Sequence, residues 1–452
     1  MIDWKNKKVI VLGLARTGAA VAEVLSDLGA QVFLTEYKKE TEFQAEKKAL
    51  EAKGVIIELG GHSLEWLEGT TMLVVSPGVP LEIPYLVEAK KREIPIVSEI
   101  ELAYQLSLAP IIAITGTNGK TTTTSLMGEV MKNTGKKVVV GGNIGLPLIN
   151  EVRQLISEDV VVAEVSSFQL DTTFAFCPRV SAILNITEDH LDRHKTMENY
   201  VEAKSKIFLN QGPKDFTILN ADNPLVAKLA EKSQGRVIFF SRQKELIEGV
   251  FVRGDKIISN WQGLDEEICS VHDIQIKGSH NLENALAAVA MSLAFGVAKE
   301  DLVKTLQDFA GVEHRLEFVR EKEGVKFYND SKGTNPDAAI KALEAFGEPI
   351  ILIAGGRDKG VSYQEFAQVI KKKARQVVLL GEAADKIEKA VILEGFNNIN
   401  KVGNMGEAVK KAYDLAQEGD IVLLSPACAS FDMFKNYEER GKAFKREVKE
   451  LA

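Results

Sequence analysis

The sequence predicts an α/β protein of three domains built on largely parallel sheets, and three observations predict it. Short runs of Val, Ile and Leu recur along the chain and alternate with helical segments. Most of these runs end in glycine, small hydroxyl or charged residues, the composition of strand ends where open parallel sheets take ligands. With 452 residues, the chain exceeds what one core organises. The expected division is a Rossmann-like domain over 1–97, a central phosphate-loop domain with a small antiparallel patch over 98–310, and a Rossmann-like domain over 311–452.

Composition narrows the function. A hydrophobic content of 45% and a charged content of 27% are those of a soluble globular protein. A net charge of −8 argues against a nucleic-acid surface, so cations for any phosphate ligand must be gathered locally. No apolar run approaches the 18 residues of a membrane span, and Met1-Ile2-Asp3-Trp4-Lys5 begins no apolar signal region. The expectation is a cytoplasmic, monomeric protein without membrane contact. Cys177, Cys269 and Cys428 are widely spaced and read as reduced thiols, not as a disulfide or zinc framework.

Lys8 to Leu12 reads as a buried strand, followed by Gly13-Leu14-Ala15-Arg16-Thr17-Gly18 and a helix with Val21, Val24, Leu25 and Leu28 on one face, closed by Gly29. A second strand, Gln31 to Thr35, ends at Glu36, at a distance that suits an acid near a ribose. Ala15 stands at the second glycine position of a dinucleotide fingerprint, and its methyl hinders close approach of a pyrophosphate. An NAD(P)-dependent dehydrogenase is therefore disfavoured against a nucleotide group bound differently. Thr71 to Val75 forms a strand ending in Ser76-Pro77-Gly78-Val79-Pro80, a ligand turn or a plain structural one. A short strand at Glu93 to Ser98 completes this unit.

The strand Ile111 to Ile114 runs into Thr115-Gly116-Thr117-Asn118-Gly119-Lys120-Thr121-Thr122, and a helix follows over 121–134. Strand, glycine turn and helix N-terminus in that order make an anion cradle of converging amides and dipole. Lys120 can reach β- and γ-phosphates, and the Thr121 hydroxyl can ligate Mg²⁺. The spacing is shorter than in the usual phosphate loop, since Gly116 and Gly119 enclose only Thr117 and Asn118.

Lys137 to Val140 leads into Gly141-Gly142-Asn143-Ile144-Gly145, where Asn143 offers an amide at a strand end or belongs to a plain turn. The strand Asp159 to Val165 carries Glu164 among valines and runs into Ser166-Ser167-Phe168-Gln169. Buried there, that carboxylate needs a cation or hydrogen bonds. Val180 to Asn185 precedes Thr187-Glu188-Asp189-His190-Leu191-Asp192-Arg193-His194, where His190 is a candidate metal or phosphate ligand or part of a solvated loop. A helix over 196–210 holds Lys204 and Lys206. Val250 to Val252, Lys256 to Ile258 and Ile274 to Ile276 read as the antiparallel patch. Asn281 and Asn284, three apart in the first turn of an alanine-rich helix, either read a purine edge or cap the helix.

Beyond residue 310 the pattern restarts with Glu313-His314-Arg315-Leu316-Glu317, strand Val325 to Tyr328 and the loop Asn329-Asp330-Ser331-Lys332-Gly333-Thr334-Asn335. Strand Ile350 to Ile353 ends in Ala354-Gly355-Gly356-Arg357-Asp358-Lys359-Gly360. Further strands are Gln376 to Leu380 and Asp420 to Leu424, the last running into Ser425-Pro426-Ala427-Cys428-Ala429-Ser430-Phe431 and a charged terminal helix.

Thr115 to Thr121, Glu164, Asn185 to Asp192 and Asn329 to Asn335 together resemble the Mur ligase family. Gly141 to Gly145, Ser166 to Leu170 and Leu424 to Ser430 are most similar to its D-glutamate-adding branch. The resemblance implies an ATP-dependent amide ligase that adds D-glutamate to UDP-N-acetylmuramoyl-L-alanine through an acyl phosphate. It implies ATP contacts from Gly116, Thr117, Asn118, Gly119, Lys120, Thr121, Thr122, Asn281, Asn284, Arg315 and Asp330. Two Mg²⁺ would be held by Thr121, Glu164, His190 and Lys204 carrying a carbamate, with Lys120, Glu164, His190 and Lys204 catalytic. The UDP-substrate would meet Thr17, Thr35, Glu36, Ser76, Asn143 and Ser166. D-glutamate would meet Lys332, Thr334, Lys359, Ser430, Phe431 and Tyr437, with Lys332 and Lys359 brought in by domain closure. A folylpolyglutamate synthetase shares the central loop but does not suit the Rossmann-like first hundred residues.

Overall fold

The buried apolar runs form three sheets in the computed structural model, which describes residues 3–38, 44–261, 263–276 and 278–451. The first sheet is parallel throughout. Its strands are β1 (Lys8–Leu12), β2 (Gln31–Glu36), β3 (Ile56–Leu59), β4 (Met72–Val75) and β5 (Ile96–Val97), in the order β3-β2-β1-β4-β5. β1 is central and apolar on both faces, so helices must cover both. The helix Arg16–Asp27 covers one of them with Val21, Val24 and Leu25. Gly29 follows its C-cap at φ +85°, a conformation glycine adopts without strain. Gly18 lets this helix press on the strand turn, since a Cβ there would lie 1.8 Å from the Gly13 carbonyl oxygen.

The second sheet has nine strands. They are β6 (Ile111–Thr115), β7 (Val138–Gly142), β8 (Val160–Glu164), β9 (Val180–Ile183), β10 (Phe216–Asn220), β11 (Arg236–Ser241), β12 (Gly249–Arg253), β13 (Lys256–Trp261) and β14 (Leu264–Ser270), ordered β14-β13-β12-β11-β10-β9-β6-β8-β7. β6 lies between β8 and β9, so the loop after β6 opens between their ends. The antiparallel patch is β12, β13 and β14. Ile274 to Ile276, expected as its third strand, is irregular, and the acidic run Leu264–Ser270 takes that place. Charges suit an edge strand. Here Asp265 and Glu267 pair with Arg253 (2.9 Å) and Lys256 (2.6 Å) across the ribbon.

The third sheet joins β15 (Glu317–Lys322), β16 (Val325–Asn329), β17 (Ile350–Gly355), β18 (Ala374–Leu380), β19 (Ile399–Lys401) and β20 (Ile421–Leu424) in the order β15-β16-β20-β17-β18-β19. β15 is antiparallel to β16 and the rest are parallel. One face packs on Phe366, Ile370 and Ile387, the other on Met405, Val409 and Phe444. The α/β class with three sheets, Rossmann-like at either end, is as expected.

Met1–Asp273 with Glu283–Gln307 makes one compact unit, holding the first two sheets, and Ile274–Leu282 with Asp308–Ala452 makes another. Among the described residues no helix is long and apolar enough to cross a membrane.

Candidate active site

The end of β6 delivers the glycine turn to the N-terminus of the helix Lys120–Asn133. Asn185, just past β9, fixes the turn at both edges. Its Oδ1 accepts from the Asn118 N–H (2.8 Å), its Nδ2 donates to the Asn118 carbonyl (3.1 Å), and its own carbonyl accepts from the Thr117 N–H (2.9 Å). The Thr117 hydroxyl accepts from the Thr187 N–H (3.1 Å). Thr117, Asn118 and Thr122 are buried, so the turn is a rigid part of the sheet end.

Gly119 sits at φ +84°, and a Cβ there would lie 2.2 Å from the Asn284 Oδ1. The Asn284 carboxamide thus packs on the phosphate turn itself. Gly119→Ala forces a left-handed alanine against that amide, a strain of about 1–2 kcal/mol. An approximately tenfold rise in KM for ATP is expected; an unchanged KM in initial-rate measurements would show that the turn accepts a methyl group.

Two lysines converge on one oxygen. Lys120 Nζ donates to the carbonyls of Gly116 (2.8 Å) and Thr117 (2.8 Å), and Lys204 Nζ donates to the same Gly116 carbonyl (2.8 Å), with Thr115 Oγ1 at 3.5 Å. Lys204 comes from the helix Met197–Ser205 and is fully buried, its ammonium 4.7 Å from the Tyr200 ring centre. Burial holds its pKa well below the ordinary lysine value, and the Lys120 charge pushes the same way; Asp189 and Glu164 oppose them.

Glu164 ends β8, paired with Ile114 of β6, and is 2% exposed. Its Oε1 accepts from Asn143 Nδ2 (2.8 Å), while its buried Oε2 has no hydrogen-bond partner among the described residues. A buried carboxylate with one oxygen unengaged suits a cation. Gly142 allows the Asn143 loop to lie on β8: at φ +100° its Cβ would meet the Glu164 carbonyl at 2.4 Å. His190 begins the short helix Leu191–His194 at φ +55°, exposed, with Nε2 3.6 Å from Asp189 and its ring 4.9 Å from Phe168. Thr121 lies in the first turn of the loop helix, partly exposed.

The candidates for the UDP-substrate are spread over strand ends. Thr17 is in the first turn of the helix Arg16–Asp27. Glu36 accepts the Leu14 N–H (2.9 Å) and the Lys38 N–H (3.0 Å). Thr35 is fully buried, its hydroxyl 2.7 Å from the Gly61 carbonyl and 2.7 Å from His62 Nδ1. Ser76 is buried beside Gly13, Asn143 is exposed, and Ser166 caps the helix Ser167–Leu170 in a capping box with Gln169.

The other compact unit gathers its own candidates. Asp330 is buried, accepting from Ser425 Oγ (2.8 Å) with Arg315 Nε at 4.0 Å. Burial pushes its pKa up to about 6 against the pull of Arg315 and Ser425. Lys332 Nζ lies 3.4 Å from the Tyr437 hydroxyl, and the Thr334 N–H donates to the Lys332 carbonyl (2.9 Å). Ser430 is buried, whereas Lys359 and Phe431 stand exposed. Asn281, also buried, belongs to the part of the helix Ser279–Phe295 assigned to this unit.

Arg440 escaped the sequence reading. Its buried guanidinium donates to Ser331 Oγ (3.0 Å), the Ser331 carbonyl (2.8 Å), and the carbonyls of Cys428 (3.1 Å) and Ala429 (3.2 Å), tying the two strand-end loops together. In sequence it is one charge among many in the terminal helix. Tyr200, on the same helix as Lys204, brings its hydroxyl to 3.3 Å from Thr117 Oγ1.

Comparison with known families matches residues 7–98 to the Mur ligase MurD-like N-terminal domain, 114–292 to the Mur ligase middle domain and 314–428 to the Mur ligase glutamate ligase domain. A protein of Pelotomaculum thermopropionicum named UDP-N-acetylmuramoylalanine–D-glutamate ligase is 52% identical over 449 residues, covering 99% of each chain. A protein of the same name from Caldanaerobacter subterraneus is 49% identical over the full length of both. Among solved structures, the chain resembles UDP-N-acetylmuramate-alanine ligase MurC of Thermotoga maritima (TM-score 0.59, 20% identity, 98% of this chain and 99% of that one). It also resembles MurF of Acinetobacter baumannii (TM-score 0.62, 18% identity, 99% and 92%). At these identities the likeness to solved structures is one of fold.

Proposed function

This chain belongs to the Mur ligase family, and we propose that it joins D-glutamate to UDP-N-acetylmuramoyl-L-alanine at the expense of ATP, a step of peptidoglycan precursor synthesis. The observation that carries the reading is the convergence of Lys120 and Lys204 on the Gly116 carbonyl beside a glutamate with an unengaged oxygen. A lysine ammonium, a buried second lysine and a carboxylate with one oxygen unengaged at a glycine turn suit a triphosphate with its metal. In this reading the domains are 1–97 for the UDP-substrate, 98–310 for ATP and 311–452 for the amino acid. The enzyme works as a cytoplasmic monomer on three small molecules.

A carboxylate is a poor electrophile, so the L-alanyl carboxylate oxygen attacks the γ-phosphorus and ADP leaves. The D-glutamate nitrogen then adds to the acyl phosphate carbon, loses a proton and expels phosphate. Lys120 and the amides of Gly119 to Thr121 hold the phosphate oxygens and offset the charge that gathers as phosphorus is transferred. Mg²⁺, held by Thr121, Glu164 and His190, would neutralise phosphate charge when bound. Asn143 keeps Glu164 aimed by donating to its Oε1.

The state of Lys204 follows from its environment. A buried lysine beside another cation is poised to lose its proton. Its free Nζ electron pair then adds to CO₂ and a proton departs, leaving a carbamate that is anionic and able to hold metal. Asn281 and Asn284 serve the nucleotide, as do Arg315 and Asp330. Thr17, Thr35, Glu36, Ser76, Asn143 and Ser166 serve the UDP-substrate, Thr35 through the backbone it braces. Lys332, Thr334, Lys359, Ser430, Phe431 and Tyr437 serve D-glutamate.

Phosphate release from ATP tests the reading. It should require UDP-N-acetylmuramoyl-L-alanine and D-glutamate together; release with either alone, or with neither, contradicts it. Glu164→Gln keeps the shape and the Asn143 contact but removes the charge. Its half-saturating Mg²⁺ concentration should rise on the order of tenfold, the scale seen when a metal's shell is altered. An unchanged Mg²⁺ titration would remove Glu164 from the metal site.

A further inference from the structure

Arg193 is the head of a column of three rings, Phe168, His194 and Tyr200, whose far end is Lys204. Its guanidinium donates from one end-nitrogen to the Pro77 carbonyl (2.6 Å) and from the other to the Val79 carbonyl (3.1 Å). Its Cζ lies 4.1 Å from the Phe168 ring centre. Phe168 stacks on His194 at 5.4 Å and 21°, and touches His190 edge-on. His194 leans on Tyr200 at 5.0 Å, and its Nε2 is 2.9 Å from Ser167 Oγ. Tyr200 reaches Thr117 of the phosphate turn and lies beneath the Lys204 ammonium.

One end of this column is therefore the turn Ser76-Pro77-Gly78-Val79, which closes on itself through the Val79 N–H and the Ser76 carbonyl (3.0 Å) at the end of β4. The other end is the phosphate turn at the end of β6. A guanidinium is the side chain suited to this junction. Its planar fork aims two N–H donors at two carbonyls in fixed directions while its central carbon lies over a ring, whereas an ammonium is a point charge on a flexible stem.

We propose that Arg193 is a positioning residue that locks the Ser76–Pro80 turn to the phosphate turn, so that the acid delivered at the first meets the γ-phosphate held at the second. The proposal rests on the substrate assignment above. Misplacing reacting groups by about 1 Å costs up to about 10²-fold in rate, and the lock sets such a placement without touching either substrate's reacting atoms.

Arg193→Ala, Arg193→Lys and Phe168→Leu test it. In Arg193→Ala, KM for UDP-N-acetylmuramoyl-L-alanine should rise about tenfold and kcat fall about tenfold, while KM for ATP stays within about twofold. Lysine should restore less than half of that loss, and Phe168→Leu, which keeps the carbonyl bonds, should show the same split at smaller size. Equal rises in both KM values, an unchanged Arg193→Ala enzyme, or full rescue by lysine would each overturn the lock. Amide exchange of Gly78 and Val79 reads the lock without substrate and should quicken in Arg193→Ala. Faster exchange in a protein whose parent shows no UDP-substrate-dependent phosphate release refutes the substrate assignment alone. Unchanged exchange with an active parent refutes the lock.

Discussion

Lys120→Ala is expected to slow phosphate release by at least about 10²-fold, the scale of removing one preorganised charge from a transition state. The loss should fall mainly on kcat. On the proposed assignment, negative charge on the oxygens that Lys120 would reach is greatest during phosphoryl transfer, whereas the loop amides and Asn284 would still hold the ground-state nucleotide. The fold should survive, because Lys120 is partly exposed and its two bonds go to its own turn, at Gly116 and Thr117. Lys120→Met, of similar length but uncharged, should behave like alanine, which separates charge from bulk. Stopped-flow measurement of acyl phosphate formation against steady-state turnover places the effect. Near-parental turnover in both variants would remove Lys120 from the phosphate site.

Much of this centre was legible because it is local in sequence. An apolar run, two glycines, a lysine and threonines specify strand, turn and helix start within thirteen residues, and β6 with the helix Lys120–Asn133 follows. Glu164 was legible for a different reason. A carboxylate among valines has to be compensated, and its Oε2 is the buried atom left unengaged.

What stayed hidden depends on contacts far along the chain. Thr35 reads as a strand-end hydroxyl, but Gly61 and His62, more than twenty-five residues on, turn it inward. Arg193 and Arg440 lie in charged stretches where nothing local marks them. Each acquires its role only when carbonyls of distant strand ends arrive beside it. The edge strand Leu264–Ser270 was missed because its acids mimic a loop until Arg253 and Lys256 stand opposite.

Lys204→Ala carries the second large effect, a rate loss on the order of 10²–10³-fold, again the scale of removing one preorganised charged group from a transition state. Two roles for Lys204 give opposite rescue patterns. If it acts as a carbamate, short carboxylates such as formate or acetate entering the space left by the side chain should recover part of the activity. If it acts as a cation, they should not, and Lys204→Arg should retain activity instead. The environment favours the first role, because burial and the nearby Lys120 charge disfavour the ammonium. The pH dependence follows with a definite sign. The folded pKa lies below the ordinary value of 10.5, so between the two the unfolded chain binds more protons, and this residue makes stability rise with pH across that window. As pH falls through the folded pKa the amine protonates and cannot take CO₂, so the parent should lose activity on the acid side, less so with added bicarbonate. The alanine variant rescued by formate should lack that bicarbonate response. A Lys204→Ala enzyme as active as its parent would exclude Lys204 from the reaction. Full activity in Lys204→Arg would exclude the carbamate.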